Sequence, residues 1–109
     1  MKTHELKTWP DPFRATWQGH KAFELRRNDR GFEPGDTLVL REWKPTGGSV
    51  TSFTGEYTGR VIAAEVSWFL SSVPEWGLAE GFCIMALERL HRYDDWSSVS
   101  ARRAPGEEG

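Results

Sequence analysis

Polar and apolar residues alternate with a period of two along much of the chain, the spacing of strands with one face toward a core. His4 to Trp9 sets His4, Leu6 and Thr8 against Glu5, Lys7 and Trp9 and reads as a first strand. Pro10 and Pro12 end it, because proline has no N–H to give a ladder. Asp11 then reads as an N-cap with Pro12 at the first helical position. Phe13, Thr16 and Trp17 fall at helical spacing, and Gly19 closes this one short helix. Beyond it, Phe23 and Leu25 alternate with Glu24 and Arg26, which predicts a half-buried second strand with Glu24 and Arg26 on its polar face.

In Glu33-Pro34-Gly35-Asp36 the proline presets φ at the second turn position and the glycine tolerates positive φ at the third, so a type II turn is expected. Thr37 to Trp43 follows as a third strand, with Leu38 and Leu40 to one side and Val39, Arg41 and Trp43 to the other. Lys44 to Thr58, rich in Gly, Ser and Thr, reads as a long mobile connection. Gly59 to Leu70 is the most apolar strand, with Glu65 the polar exception on one face. Ser71 to Gly81 reads as loop, and Phe82 to Glu88, apolar on both faces, as a central closing strand. The polar stretch 92–109 reads as a frayed or disordered tail with a docked segment around Trp96. Five short strands, one early helix and turn signals between them predict a mainly β (α+β) domain over 1–91, a small, partly closed β-barrel.

With 109 residues and an ordinary soluble composition, 38% hydrophobic and 28% charged, the chain has material for one modest core. No apolar run approaches the roughly 20 residues of a membrane span, and the N-terminus carries no secretory pattern. A single cysteine, Cys83, cannot form an intrachain disulfide, which suits a cytoplasmic setting. Net charge is −2, so bulk attraction to nucleic acid is excluded, but its distribution is uneven. Residues 1–44 hold nine Lys/Arg against seven Asp/Glu, giving +2, while 45–91 hold two against five, giving −3. A locally basic first part suits a compact anionic ligand. The scattered His4, His20 and His91 suggest no metal site, and no phosphate loop or nucleophile elbow is present, so no cofactor is implied.

The opening HELKTWPDPF, the GxKxxExR pattern at Gly19, Lys21, Glu24 and Arg26, and the PGDxLxLREW turn and strand follow one another in an order that resembles the DUF3850 family. The resemblance covers about residues 4–90. It implies membership of the ASCH and PUA-like superfamily of small pseudo-β-barrels, five- to six-stranded, with a cleft beside the helix that takes RNA or modified nucleosides. Some ASCH relatives resemble amidohydrolases acting on N4-acetylcytidine through lysine, threonine and glutamate. Lys21 matches that lysine, Glu24 stands in place of the threonine, and the third position falls at Glu75 or Glu80.

The expected function is accordingly a module holding single-stranded RNA or a modified nucleotide. Lys7, Lys21, Arg26 and Arg27 would neutralise phosphate or carbonyl oxygens, and Glu24 would accept from a base edge. Trp9 and Phe13 are candidates for the cleft, Trp9 for stacking a base, with Arg41 and Tyr57 as polar rim. Trp17, Trp43 and Trp68 read as structural. Lys21 also reads as a solvated lysine at a strand start, and Glu24 and Arg26 as a plain cross-strand ion pair; such a pair, if exposed, would contribute at most about 1 kcal/mol, so its loss should affect function more than folding. The enzymatic alternative is a small hydrolase on a modified nucleoside or RNA, with Lys21 and a glutamate (Glu24, Glu65, Glu75 or Glu80) sharing proton transfer.

Overall fold

A computed structural model describes residues 1–96, so most of the tail expected to fray lies outside the described residues. At the start of that stretch the rings of Tyr93 and Trp96 lie 5.8 Å apart. The elements are β1 (Thr3–Thr8), α1 (Pro10–Trp17), β2 (Phe23–Arg27), β3 (Thr37–Ser49), β4 (Ser52–Val73), a single 3-10 turn at Pro74–Trp76, and β5 (Leu78–Tyr93). All five strands form one sheet in the order β1-β3-β4-β5-β2. β1 runs parallel to β3, and every other pair is antiparallel. The protein is mainly β with one short helix after the first strand, as its alternation predicts.

The expected turn forms. The Asp36 N–H donates to the Glu33 carbonyl at 3.1 Å, and Gly35 sits at φ +93°. The buried Asp36 carboxylate then accepts from three donors: the backbone N–H groups of Lys2 (3.1 Å) and Glu33 (3.0 Å), and His4 Nε2 (2.9 Å). Burial pushes the Asp36 carboxyl up, but the bonds from His4, Lys2 and Glu33 and the charge of Lys2 outweigh it and hold it below its ordinary value. One carboxylate thus ties the turn to β1 and fixes the parallel register that pairs Thr3 with Thr37 and Lys7 with Arg41.

Three expectations about the chain path need correction. Trp9, not Asp11, is the N-cap of α1 and makes no side-chain cap bond, while Pro10 opens the helix. Asp11 lies in the first turn, where its charge favours the positive end of the helix dipole. Lys44 to Thr58 is no loose connection: β3 and β4 continue as a hairpin, pairing Lys44 with Glu56 and Ser49 with Ser52. Its glycines allow close approach, since a Cβ on Gly55 would come within 2.5 Å of the Trp43 ring and of the Lys44 carbonyl. Finally, Ser71 to Gly81 is mostly strand, broken only at Pro74–Gly77, where Gly77 takes φ +96°.

The sheet wraps around Leu6, Leu38, Leu40, Ile62 and Met85, with Phe13 of α1 covering one side. Cys83 lies in this core, and burial pushes its thiol up. The backbone ladder does not close into a barrel, because β1 and β2 remain the two ends of the sheet. Side chains join them instead. Arg26 donates through Nη1 to the Lys7 carbonyl and through Nη2 to the Thr8 hydroxyl, each at 3.1 Å, and Arg30 Nη1 donates to the Glu5 carbonyl at 3.0 Å. The edge carbonyls of β1 are satisfied by guanidinium groups where a barrel would use a neighbouring strand.

The same seam overturns the expected facing of β2. Phe23 and Leu25 are 44% and 55% exposed, whereas Glu24 is 3% exposed. Glu24 and Arg26 pair in register with the core residues Met85 and Cys83, so the charged face of β2 is its inner face. Lining the gap between two unpaired edges, this inner face meets polar groups of β1, and charged residues are accommodated there.

Candidate ligand cleft at the seam between the sheet edges

Between the two edges lies a cleft of about 370 Å³. Lys7, Thr8, Trp9 and Pro12 line it from β1 and the start of α1, and Lys21, Phe23, Glu24, Leu25 and Arg26 from the other side. Gly19, at φ +85°, ends the helix and lets the chain reach Lys21, whose backbone N–H bonds back to the Ala15 carbonyl at 3.1 Å. Lys21 is thereby fixed at the mouth of β2 before the strand begins.

Glu24 is the centre of the cleft's chemistry. Its Oε1 accepts from Lys21 Nζ at 2.7 Å and its Oε2 from Arg26 Nε at 2.8 Å. Its side chain is 4% exposed, against 18% for Lys21 and 25% for Arg26. The Glu24–Arg26 pair is no exposed surface contact but part of a triad with a buried carboxylate between two partly buried cations, and its loss will affect folding as well as function. An ammonium has three donors and a guanidinium five. Lys21 uses two, on Glu24 and on the Phe23 carbonyl at 2.6 Å, and so keeps one. Arg26 uses three, on Glu24, Lys7 and Thr8, and keeps two. Two cations against one carboxylate leave the triad at +1, with preset donors still free.

Aromatic residues form the adjoining wall. Trp9 packs edge-on against Trp43 at 5.7 Å and against Phe53 at 5.3 Å, yet remains 42% exposed. Phe53 comes from the far end of the β3–β4 hairpin, so the segment expected to be mobile instead props Trp9 beside the cleft. Lys7 extends its ammonium over the Trp43 ring, 4.2 Å from the centroid. A rigid, half-exposed indole beside fixed cations can take a planar group on its face and an anion or carbonyl at its edge.

Of the residues expected at the ligand, Lys7, Trp9, Lys21, Glu24 and Arg26 line this one cleft. Phe13 does not. It is fully buried beneath Arg60 and Trp17 and belongs to the core, because the first helical turn directs it inward. Arg27 points away from the cleft and covers the Phe82 ring at 4.9 Å. Arg41 and Tyr57 stack on each other at 3.8 Å, with Arg41 also 3.3 Å from Glu5, and are not part of the cleft lining. Trp43 is buried as expected, but Trp68 is 57% exposed because the β4–β5 register shifts between Val66 and Trp68. Glu65 faces outward to Arg89 at 3.3 Å, and Glu75 and Glu80 are exposed on and after the Pro74–Trp76 turn. None of these three lines the cleft, so Glu24 is the glutamate within reach of Lys21. Thr8 joins the cleft without having been expected there, although its place in the alternation of His4, Leu6 and Thr8 marks it as inward-facing.

Fold and seam together define a small α+β domain whose single curled sheet holds a charged cleft between its own edges. Its residues 3–87 match the family described as Domain of unknown function (DUF3850), and the chain belongs to that family. It is also 36% identical over 66 residues to an uncharacterized 12.9 kDa protein in the GpA 3′ region of Escherichia phage P2. That match covers 61% of this chain and 52% of the phage protein, so the chain spans about half the length of the curated relative. Among the described residues no helix is long and apolar enough to cross a membrane.

Proposed function

We propose that this is a PUA/ASCH-like nucleic-acid-binding module, holding single-stranded RNA or a modified nucleotide in the cleft at the seam. The observation that carries this reading is the Lys21–Glu24–Arg26 triad, in which one buried carboxylate holds two cations with donors to spare beside the exposed face of Trp9. A nucleotide offers what this arrangement lacks: a π-face for the indole, and carbonyl or phosphate oxygens for Lys21, Arg26 and Lys7. Both Glu24 oxygens are already engaged, which makes it an organiser of the two cations more than a direct acceptor for a base edge. A lone buried cysteine suits a cytoplasmic site of action. A screen of nucleosides, modified nucleosides and short RNAs for thermal stabilisation tests the reading, since a ligand that binds the native form alone raises its melting point. A shift with wild type that disappears in Lys21→Met supports it, and no shift with any of them refutes it.

One contact favours the hydrolase alternative. Glu24 lies 2.7 Å from Lys21 Nζ, within reach for the proton sharing that an amidohydrolase or ribonuclease would need. Product analysis after incubation with acylated nucleosides and RNA separates the two. Turnover that vanishes in both Lys21→Met and Glu24→Gln would establish the enzyme, while intact substrate bound with unchanged composition leaves the binding module.

A further inference from the structure

Arg26 does more than line one hollow. On the far side of its bridge to β1 lies a second hollow of about 190 Å³, lined by Leu6, Arg26, Arg27, Asp29, Arg30 and Phe32. Of its three guanidinium groups Arg26 is already paired with Glu24, so Arg27 and Arg30 against Asp29 leave +1 at a site smaller than the first. Among the described residues neither Arg27 nor Asp29 has an ion-pair partner, and Arg30 uses one donor, on the Glu5 carbonyl. Arg27 is held by its stack on Phe82, which orients the guanidinium without consuming its N–H groups. Arg27 and the remaining N–H groups of Arg30 are therefore not spent on closing the fold.

The two hollows lie end to end along the gap between β1 and β2, and Arg26 belongs to both. Their characters differ: the first has aromatic walls and two fixed cations, and the second is a small basket of arginines beside a single phenylalanine. Guanidinium forks match the oxygens of a phosphate bidentately. From this juxtaposition we infer that the second hollow takes a phosphodiester of the strand whose nucleotide occupies the first, so that the ligand is a single-stranded oligonucleotide and not a free nucleoside. This rests on the function proposed above. A base would sit against Trp9, and the backbone would pass over Arg26, so that the adjacent phosphate meets Arg27 and Arg30. Arg26 then contacts both parts of the ligand, which links occupancy of one hollow to the other.

The test is the salt dependence of binding of an end-labelled single-stranded RNA to the full chain, for wild type, Lys21→Met, Arg27→Gln and the double variant Arg27→Gln/Arg30→Gln. Removing one cation from a phosphate should lower the slope of log affinity against log salt by about 0.7 for a single strand. The double variant is expected to lose affinity for the oligonucleotide and to show the shallower slope, with a reduced ratio of oligonucleotide to nucleoside affinity. Glutamine at position 30 is shorter and gives up the bond to the Glu5 carbonyl, whereas Arg27→Gln removes no hydrogen bond among the described residues. If the double variant unfolds, Arg27→Gln alone carries the readout. Wild-type slope and affinity in the arginine variants, with no binding by Lys21→Met, would overturn the second hollow and leave the first reading intact. No oligonucleotide binding by wild type overturns the second hollow, and the first reading falls with it when no nucleoside or modified nucleoside raises the melting point either.

Discussion

The guanidinium of Arg26, on the last strand of the sheet, donates to the main-chain carbonyl of Lys7, on the first, at 3.1 Å. This contact closes by a side chain what the backbone leaves open. It also means that a residue securing the fold lines the cleft as well. An exposed salt bridge could be deleted at little cost to folding. Arg26 cannot, because it satisfies an edge carbonyl, the Thr8 hydroxyl and the buried Glu24 at once.

Arg26→Ala should therefore lower stability as well as binding. It leaves Glu24 buried with one cation and two β1 acceptors unpaired, a loss of about 1–3 kcal/mol for a partly exposed group. Arg26→Lys restores charge but not the fork, and should recover only part of that stability. Urea denaturation of the three proteins checks this; identical midpoints would show that the seam contributes nothing.

Glu24→Gln keeps the shape of the side chain while removing the charge between Lys21 and Arg26. The two cations then repel, and an amide N–H₂ faces one of them. Affinity for single-stranded RNA should fall about tenfold or more, as expected for losing a charge-assisted hydrogen bond of about 1.5–3 kcal/mol. An affinity equal to wild type would mean that the carboxylate does not organise the cleft.

Asp36 gives a pH dependence with a defined sign. Its folded pKa is lowered from 3.8, so its stabilising contribution is fully present above 3.8 and is lost as pH falls through the lower folded value. Asp36→Asn should thus be less stable than wild type near neutrality, and the gap between the two should narrow below pH 3.8. Paired melting curves against pH read this directly; a gap that stays constant into acid would show that ionisation of Asp36 is irrelevant.

Gly55→Ala should strain the hairpin that carries Trp9's support. The new Cβ meets the Trp43 ring and the Lys44 carbonyl at 2.5 Å, an overpacking of about 1–3 kcal/mol. Because Trp43 and Phe53 hold Trp9, ligand affinity should fall with stability. Full affinity alongside a lowered melting point would separate the hairpin from the cleft.

The sequence made some of this readable and hid the rest for identifiable reasons. The turn at Pro34-Gly35 and the apolar register of Ile62, Ala64 and Val66 follow from local rules that tertiary context leaves intact. The Gly-, Ser- and Thr-rich stretch from Lys44 to Thr58 looks like loop, because its strand character comes from pairing across a hairpin, which composition does not report. On β2 the alternation is as expected but its polarity is inverted. Burial there is set by the seam, and nothing local to Phe23–Arg27 reveals that the charged face turns inward. Lys21, Glu24 and Arg26 could be singled out from their spacing, and Lys7 and Trp9 from their place before the helix. That Arg26 ties β2 to Lys7 and Thr8, and borders a second hollow with Arg30, depends on two edges meeting across the whole topology.

The most direct measurement is the affinity of wild type and Lys21→Met for a labelled single-stranded RNA, with melting points recorded in parallel. Lys21 keeps one donor free and is less deeply tied into the seam than Arg26, so its loss separates binding from folding better than any other substitution in the triad. Saturable binding by wild type, weakened about tenfold or more in a variant that still melts cooperatively, is the predicted result. Equal binding by both proteins, or none by the wild type, would contradict the cleft as the site.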